Sequence, residues 1–230
     1  EVEYGITSFF TEDEKNKTAI KLSTKSKNGE KQAPLEVELK DKHGIIRQFE
    51  ILEVPVFNDA KEVIKIEGLA HEITERKRAE QVQKILSHIS HAAITSESVE
   101  ALIKIIQDQL GTIIDARNFY IALYDEKTDS LTLPFMADDK DKGIESFPAA
   151  NTMTGYVIKN QKSALLSSSQ QEKLVELGEI EFVGSRSKVW LGAPLKLAEK
   201  VIGVLAVQSY TDEKAYDEND QEILEIISSQ

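Results

Sequence analysis

The segment from Lys188 to Tyr210 constrains the fold most, because it holds two apolar runs separated only by Ala198, Glu199 and Lys200. The β-branched residues in both runs and the short polar interruption predict a β-hairpin. Neither run alternates cleanly between apolar and polar residues, so both faces of each strand need a covering layer. The sequence therefore predicts two central strands of a sheet that lies between layers of other elements.

Two residues should disturb the regular pairing of this hairpin. Gly203 lies in the middle of a strand, where glycine weakens packing unless another backbone or a ligand approaches closely. Pro194 has no N–H group to donate, and we expect the pairing to be broken or bulged there.

The composition excludes several classes of function. The chain has 230 residues, enough for one large or two modest domains, and a formal net charge of −12 at pH 7. This charge argues against a nucleic-acid surface, because phosphate binding needs clustered basic residues. The lysines between Lys15 and Lys31 are mixed with acidic and polar residues, and we expect a solvated face there. The absence of cysteine excludes disulfides, thiolate metal sites and thiol-linked chromophores.

No apolar run reaches the roughly 20 residues needed to span a bilayer, and no signal-peptide pattern opens the chain. We therefore expect a cytoplasmic protein without a membrane segment. The chain begins with glutamate instead of methionine, and we expect it to be a fragment of a longer protein.

Residues 1–74 are predicted to form strands and turns. Alternating apolar residues and turn sequences indicate three antiparallel strands, a meander that needs a helix or a second sheet on its apolar face. The predicted strands are Ala33–Leu39, Ile45–Val56 and Val63–Ile73, with turns at Asp41–Gly44 and Asn58–Lys61.

This segment resembles the C-terminal half of a PAS sensor domain. The resemblance rests on the Asp41–Gly44 turn, the Val-Pro-Val-Phe-Asn-Asp turn at 54–59, and the closing Glu-Ile-Thr-Glu-Arg-Lys at 72–77. In the closing sequence, Glu72 replaces the family's usual aspartate. The earlier strands and helices that wall a PAS pocket are missing, so we expect a truncated PAS-like segment without an intact pocket.

A helix is predicted from Thr74 to Ile94, with Thr74 as its N-cap. Its apolar residues recur at spacings of three, four and seven. They are Val82, Ile85, Leu86, Ile89, Ala92 and Ala93. Such a stripe suggests a two-stranded parallel coiled coil, and the alternative is a helix that packs on its own domain. Residues 75–97 are therefore assigned as a linker between the domains 1–74 and 98–230.

The remaining sequence predicts helices and short strands. A helix runs from Ser98 to Ile114, and Asp217 caps a final helix, Asp217–Gln230, whose acidic first turn suits the helix dipole. Between them we predict strands Asn118–Asp125, Leu131–Ala137 and Ala164–Ser167, helices Thr154–Gln161 and Gln170–Leu177, and a charged loop Asp138–Gly143.

Residues 98–230 resemble a GAF domain. The matching segments are Asn118–Asp125, Thr154–Val157, Trp190–Leu195, Val201–Val207 and Tyr216–Asp220. The resemblance implies an α+β fold with an antiparallel sheet covered by helices on both faces. The first and last helices would cover one face, and short helices and loops would surround a small-molecule pocket on the other. This arrangement would explain independently why the central hairpin is apolar on both sides.

The residues argue against the known cofactors of such domains. The four histidines, His43, His71, His88 and His91, all precede the GAF-like region. A haem site there would therefore lack both imidazole and thiolate ligands. A covalent bilin needs a cysteine, and the pattern of the cyclic-nucleotide-binding relatives is absent. Either a non-covalent organic ligand or no ligand remains.

Two other candidate sites are given structural interpretations. The residues after His88 and His91 differ from those that follow a phosphoacceptor histidine, so we expect linker histidines. Asp138, Asp139 and Asp141 lack the spacing of an EF-hand, so we expect a solvated loop and no metal site.

A GAF-like pocket should have apolar walls and few polar groups. The candidate lining residues are Phe119, Ile121, Leu133, Phe135, Met153, Thr154, Tyr156, Trp190 and Leu205. For each of them the alternative is an ordinary core residue. Trp190 is the most informative, because a buried indole N–H needs a hydrogen-bond partner.

The sequence contains no convergent set of acid, base and nucleophile, so we expect a non-catalytic sensory module. By resemblance, we expect the parent protein to be a sensor histidine kinase, with a diguanylate cyclase as the alternative. A ligand would bias the packing of helices Ser98–Ile114 and Asp217–Gln230. These helices and Thr74–Ile94 would relay the change across a parallel homodimer. The competing hypothesis is a ligand-free dimerisation or spacer module.

Overall fold

The computed structural model describes residues 10–42 and 44–229. Residues 1–9 of the first predicted segment, His43 of the predicted turn and Gln230 of the predicted last helix lie outside the described residues. The chain divides into two compact units, Glu1–Gln81 and Val82–Gln230. Among the described residues, no helix is both long and apolar enough to cross a bilayer.

The first unit contains the predicted meander. Its strands pair antiparallel in the order β1-β2-β3. They are β1 (Leu35–Lys40), β2 (Ile46–Phe57) and β3 (Val63–Glu72). Leu35, Val37 and Ile51 project from one face of the sheet into a small core. As predicted, this apolar face is covered by another element.

That element is a helix, α1 (Glu14–Lys27), so the prediction of only strands and turns in this segment was wrong. Ala19 and Leu22 contribute to the core, and Ile20 is exposed. Three apolar residues among many lysines are too few to show helical periodicity. Asp13 caps the helix, its side chain accepting a hydrogen bond from the backbone N–H of Lys15 at 2.7 Å. The cap, rather than the apolar pattern, was the available sequence signal.

A buried asparagine attaches α1 to the edge of the sheet. The Nδ2 of Asn16 donates to the backbone oxygen of Glu38 at 2.6 Å, and its Oδ1 accepts from the Glu38 N–H at 2.7 Å. The side chain thus pairs with the β1 backbone as a neighbouring strand would. The α1 lysines are exposed, as expected.

The helix α2 (Thr74–Thr95) begins differently from the prediction. The N–H of Lys77 bonds to the carbonyl of Ile73 at 2.9 Å, so Thr74 is already inside the helix and is not its N-cap. The Thr74 hydroxyl instead accepts from the backbone N–H of Gln48 at 3.0 Å and donates to Glu72 at 3.0 Å. These bonds fix the start of α2 against β2, and Glu72 takes part in them despite its longer side chain.

The second unit is built on a six-stranded antiparallel sheet in the order β6-β5-β4-β9-β8-β7. Its strands are β4 (Asn118–Asp125), β5 (Ser130–Ala137), β6 (Ser146–Pro148), β7 (Ala164–Ser167), β8 (Val189–Leu197) and β9 (Lys200–Ser209). Its helices, besides α2, are α3 (Val99–Leu110), α4 (Met153–Asn160), α5 (Ser168–Glu176) and α6 (Glu218–Ser228). The mixed α+β architecture with an antiparallel sheet agrees with the prediction.

The predicted hairpin is β8–β9, which lies inside the sheet and is buried on both faces. Leu205 and Val207 project into the core that α2, α3 and α6 share, whereas Val204 and Ala206 project into the core beneath α4. Ile202, close to the turn, is the exception, because 36% of its surface is exposed. Two apolar layers therefore meet on opposite sides of one pair of strands.

Gly203 and Pro194 behave largely as predicted. A Cβ on Gly203 would overlap the carbonyl oxygen of Ala122 in β4, so another backbone does approach closely. Pro194 itself still pairs with Val204, and the pairing between β8 and β9 shifts register one residue later, between Leu195 and Lys196.

The stripe on α2 is buried within the second unit. Val82, Ile85 and Ile89 belong to the same core as residues of α3 and α6. This favours the alternative of a helix that packs on its own domain, because these side chains are already covered within one chain. The parallel coiled coil stays a prediction.

The N-caps of α3 and α6 agree with the prediction, but the last residue of α3 does not. The side chain of Ser98 caps α3, accepting from Ala101 N at 3.1 Å, but the helix ends at Leu110 instead of Ile114. Gly111 follows and disfavours helix. Asp217 caps α6 as predicted, in a reciprocal capping box with Asp220.

Replacing Gly203 with alanine tests the close contact between β9 and β4. The added methyl group would press on the Ala122 carbonyl, so the free energy of unfolding should fall by about 1–3 kcal/mol, as for other overpacked sites. Chemical denaturation followed by circular dichroism measures it. Gly68→Ala in β3 is the matched control, because its Cβ would lie 3.7 Å from the Leu52 oxygen. Equal stability of the two variants would contradict the close approach.

Candidate functional site

The second unit contains a small cavity between its sheet, the start of α4 and two irregular segments. Its volume is about 40 Å³. It is lined mainly by apolar side chains, with a few polar groups among them. The lining residues are Tyr120, Leu133, Met136, Asp141, Ile144, Phe147, Thr152, Met153, Thr154, Glu181, Val183, Trp190 and Gln208.

Three buried side chains form a hydrogen-bonded chain in the wall of the cavity. The indole Nε1 of Trp190 donates to the Tyr120 hydroxyl at 3.0 Å, so the predicted need for a partner is confirmed. The Tyr120 hydroxyl also lies 2.9 Å from the Thr154 Oγ1. Burial raises the pKa of the Tyr120 phenol, which keeps the group neutral. The chain connects β8, β4 and α4 through one polar contact path.

The local sequence before α4 determines where Thr154 points. The Thr152 hydroxyl donates to the Ala149 carbonyl and accepts from the Gly155 N–H, both at 2.9 Å. A Cβ at Gly155 would overlap the Ala149 oxygen, so only glycine allows this approach. The cap and the tight turn together place the first turn of α4 against Tyr120.

The charged loop Asp138–Gly143 is not simply solvated, and this expectation was wrong for two of its aspartates. Asp138 accepts from the Tyr210 hydroxyl and from the Gln208 side chain, each at 2.8 Å. Asp141 accepts from the backbone N–H of Ser185 at 2.8 Å and from its hydroxyl at 2.8 Å. Within residues 10–42 and 44–229, no cluster of three or more His, Asp or Glu side chains could hold a metal ion.

Tyr210 responds to its position between these carboxylates. Burial and the hydrogen bond to Asp138 both raise the pKa of its phenol, because ionisation would place a third negative charge there. Lys140 Nζ lies 4.4 Å from the centre of the Tyr210 ring. The group therefore acts as a neutral donor that fixes the loop to β9.

The structure brings four of the predicted pocket residues to the cavity. Leu133, Met153, Thr154 and Trp190 line it. Tyr156 lies instead in a separate groove of about 280 Å³, with Tyr124 and Asp129.

The other four predicted residues lie on the opposite face of the sheet and do not line the cavity. They are Phe119, Ile121, Phe135 and Leu205, which belong to the core shared with α2, α3 and α6. Alternate residues of a strand point to opposite faces of the sheet. In β4, Tyr120 faces the cavity, so its neighbours Phe119 and Ile121 face the other side. A register shift opposite Ile121 in β4 lets Leu133 and Phe135, two residues apart, face opposite ways.

Several lining residues were missed, and one sequence signal could have found two of them. Directly paired residues in an antiparallel sheet share a face. Gln208 pairs with Trp190, and Met136 pairs with Tyr120, so pairing outward from Trp190 identifies this face. The lining residues of the irregular segments, such as Asp141 and Glu181, carry no such periodic signal.

One histidine prediction concerns α2. His88 Nδ1 lies 2.9 Å from the Gln109 Oε1 on α3. This contact connects two helices of the same unit, and the linker role of His88 stays a prediction.

Substituting phenylalanine for Tyr120 tests the buried hydrogen-bonded chain. Loss of the hydroxyl leaves the buried indole N–H unpaired and should lower the free energy of unfolding by about 1–3 kcal/mol. Tyr124→Phe is the control, since its hydroxyl donates to Asp129 in an exposed turn at 3.0 Å, and we expect a change below about 0.5 kcal/mol. Denaturant titration measures both variants. An equal, small effect at the two positions would contradict a buried polar chain.

Comparisons with known proteins place the second unit in a family. Residues 96–230 match the family model described as GAF domain. A comparison with curated proteins found no match.

Solved structures show the same fold at low sequence identity. The GAF domain of an Acinetobacter phosphoenolpyruvate-protein phosphotransferase aligns with a TM-score of 0.54 and 18% identity, covering 66% of this chain and 89% of that one. Its counterpart from Coxiella burnetii gives 0.53 and 14%, covering 65% and 89%. A free methionine-R-sulfoxide reductase from Neisseria meningitidis, in complex with its substrate, gives 0.51 and 16%, covering 66% and 86%. Because the family model spans more than half of the chain, the protein belongs to the GAF domain family.

Proposed function

We propose that this GAF unit is a non-catalytic sensory module that binds a small organic ligand in the cavity beside Trp190. The observation that carries the proposal is the buried chain of Trp190, Tyr120 and Thr154. A few polar groups in a mainly apolar wall are the arrangement typical of small-molecule sites. It also connects the cavity to three separate elements of the fold.

The charges around the cavity suggest which ligands it accepts. Its lining includes the carboxyl groups of Asp141 and Glu181, and none of the described lining residues is Lys, Arg or His. Negative potential disfavours phosphates and other anions. The proposed ligand is therefore a small neutral or cationic organic molecule with a substantial apolar part.

The cavity as it stands is too small for an organic ligand. About 40 Å³ suffices for water but not for an organic ligand, since pockets for such ligands measure roughly 300–1,000 Å³. Binding requires the covering segments to move. The same observation favours the second candidate, a ligand-free dimerisation or spacer module with a nearly filled core.

Enzymatic activity is less well supported by the residues. One of the similar structures is a reductase, but this chain has no cysteine, which excludes thiol chemistry here. The Thr154 hydroxyl is bonded to Tyr120 rather than to a base. A non-catalytic role is therefore proposed for this unit.

The C-terminal helix is positioned to carry a change away from the cavity. α6 packs on β8 and β7, and its Leu224 is fully buried. Ser163, which follows α4 in the chain, bonds to two α6 side chains: its hydroxyl donates to Glu225 and accepts from the Gln221 Nε2 at 2.5 Å. A shift of α4 would therefore reach α6 through Ser163.

The relay is proposed to continue across a parallel homodimer, in a parent protein that is a sensor histidine kinase or, alternatively, a diguanylate cyclase. The PAS-like resemblance of residues 1–74 supports the choice of parent. The dimer would use the outward faces of α2, α3 and α6, where Ile94, Val99 and Ile226 are exposed.

A ligand screen that uses the single tryptophan tests the sensory proposal. Because Trp190 lines the cavity, a small neutral or cationic compound should change its fluorescence in a saturable way and raise the melting temperature. Size-matched anions should have no effect. Tyr120→Phe should weaken binding about tenfold, corresponding to one lost hydrogen bond. No saturable response, together with an unliganded mass in native mass spectrometry, would favour the spacer module.

Light scattering at high protein concentration tests the dimer. We expect twice the chain mass, and we expect the double variant Ile94→Asp, Ile226→Asp to be monomeric, because charge is costly in an apolar interface. Leu177→Asp is the control, since Leu177 is also exposed, at 66%, but lies after α5. A strict monomer for the unaltered chain would contradict the dimeric relay.

A further inference from the structure

Two irregular segments, 138–145 and 179–187, cover the cavity, and we call them the lid segments. Neither contains a helix or a strand. The first contributes Asp141 and Ile144 to the lining, and the second contributes Glu181 and Val183. Access to the cavity from this side therefore depends on how firmly the two segments are held together.

The first lid segment is anchored to the sheet. Asp138 receives hydrogen bonds from two β9-side groups, the Gln208 amide and the Tyr210 hydroxyl. The same carboxylate accepts from the backbone N–H groups of Lys140 and Asp141, each at 2.8 Å. These bonds shape the turn so that the Asp141 side chain projects toward the second lid segment.

Asp141 joins the two lid segments. The Ser185 N–H lies 2.8 Å from one carboxylate oxygen and 3.1 Å from the other, and the Ser185 hydroxyl donates to the carboxylate at 2.8 Å. Gly184 has a φ of +75°, and a Cβ there would overlap the same carboxylate. The second segment is therefore shaped to receive Asp141, since only glycine combines this φ with this approach.

We propose that the contact between Asp141 and Ser185 is a latch that closes the cavity, and that ligand exchange requires it to open. This proposal rests on the proposed function of the cavity as a ligand site. A carboxylate that accepts from a backbone N–H and a hydroxyl makes strong, charge-assisted bonds. Both partners are only partly buried, so water can replace these bonds when the segments separate. The closed state leaves about 40 Å³, and the open state admits the ligand.

Acrylamide quenching of Trp190 fluorescence measures the latch without any ligand. Trp190 is the only tryptophan in the chain, it is fully buried, and it lines the cavity. In Asp141→Ala the quenching constant should rise about twofold or more, because the lid segments open locally. Asp139→Ala is the matched control, as it removes the same charge from an exposed side chain of the same segment. Its quenching constant should equal that of the unaltered chain.

A second variant separates the contact from its charge. Gly184→Ala keeps the Asp141 side chain, but the added methyl group would overlap its carboxylate and displace it from Ser185. The quenching constant should therefore rise again. Hydrogen exchange of the peptide 179–187 should also accelerate in both variants, because the Ser185 N–H loses its acceptor. Circular dichroism checks that each variant is folded, and Gly184→Ala serves alone if Asp141→Ala does not fold.

Unchanged quenching and exchange in the folded latch variants would overturn the latch. The result is independent of the ligand screen. A latch that opens while no compound binds would leave the device established and the sensory proposal refuted. If a compound binds but the latch variants leave quenching and exchange unchanged, the sensory proposal is supported and the latch is refuted.

Discussion

The structure depends on one pair of strands whose two faces are both buried. The backbone of β9 lies so close to β4 that only glycine fits at position 203, and the next two side chains of β9, Val204 and Leu205, point into different cores. Because a strand buried on both faces needs two covering layers, the helices α2, α3 and α6 and the opposite layer around α4 are necessary consequences. The six-stranded sheet is arranged around this contact.

The two faces differ in chemistry, and function is proposed for only one of them. Toward α2, α3 and α6 the core is almost entirely apolar, with Phe119 packed edge-on against Phe135 at 6.0 Å. Toward α4 the core includes the buried hydroxyls of Tyr120 and Thr154. Buried polar groups are costly unless they are fully paired. On the face toward α4, the fold therefore buries costly polar groups, which hold the side chains around the cavity in one specific geometry.

The sequence predicted what depends on local patterns and missed what depends on distant contacts. The bounds of β4 and β7 and the cap at Asp217 were correct, because alternation and capping are local signals. α1 was missed because its helix has few apolar residues and is attached through the polar side chain of Asn16. Only four of the nine predicted lining residues line the cavity. The prediction required knowing which face of the sheet each strand residue occupies, and a register shift in β5 changes that face partway along the strand. The role of Asp141 could not be predicted, because Ser185 lies far away in the chain.

The attachment of α6 at Ser163 determines how this helix is able to move. Gln221 and Glu225 lie one turn apart on the same side of α6, and both bond to a single hydroxyl. Rotation of the helix about its own axis would break both bonds at once, whereas a tilt about that hydroxyl would keep them. The two ends of α6 would then swing in opposite directions, with Ser163 as the fulcrum. A small displacement at β7 would become a larger lateral displacement at Ser228, where the helix ends.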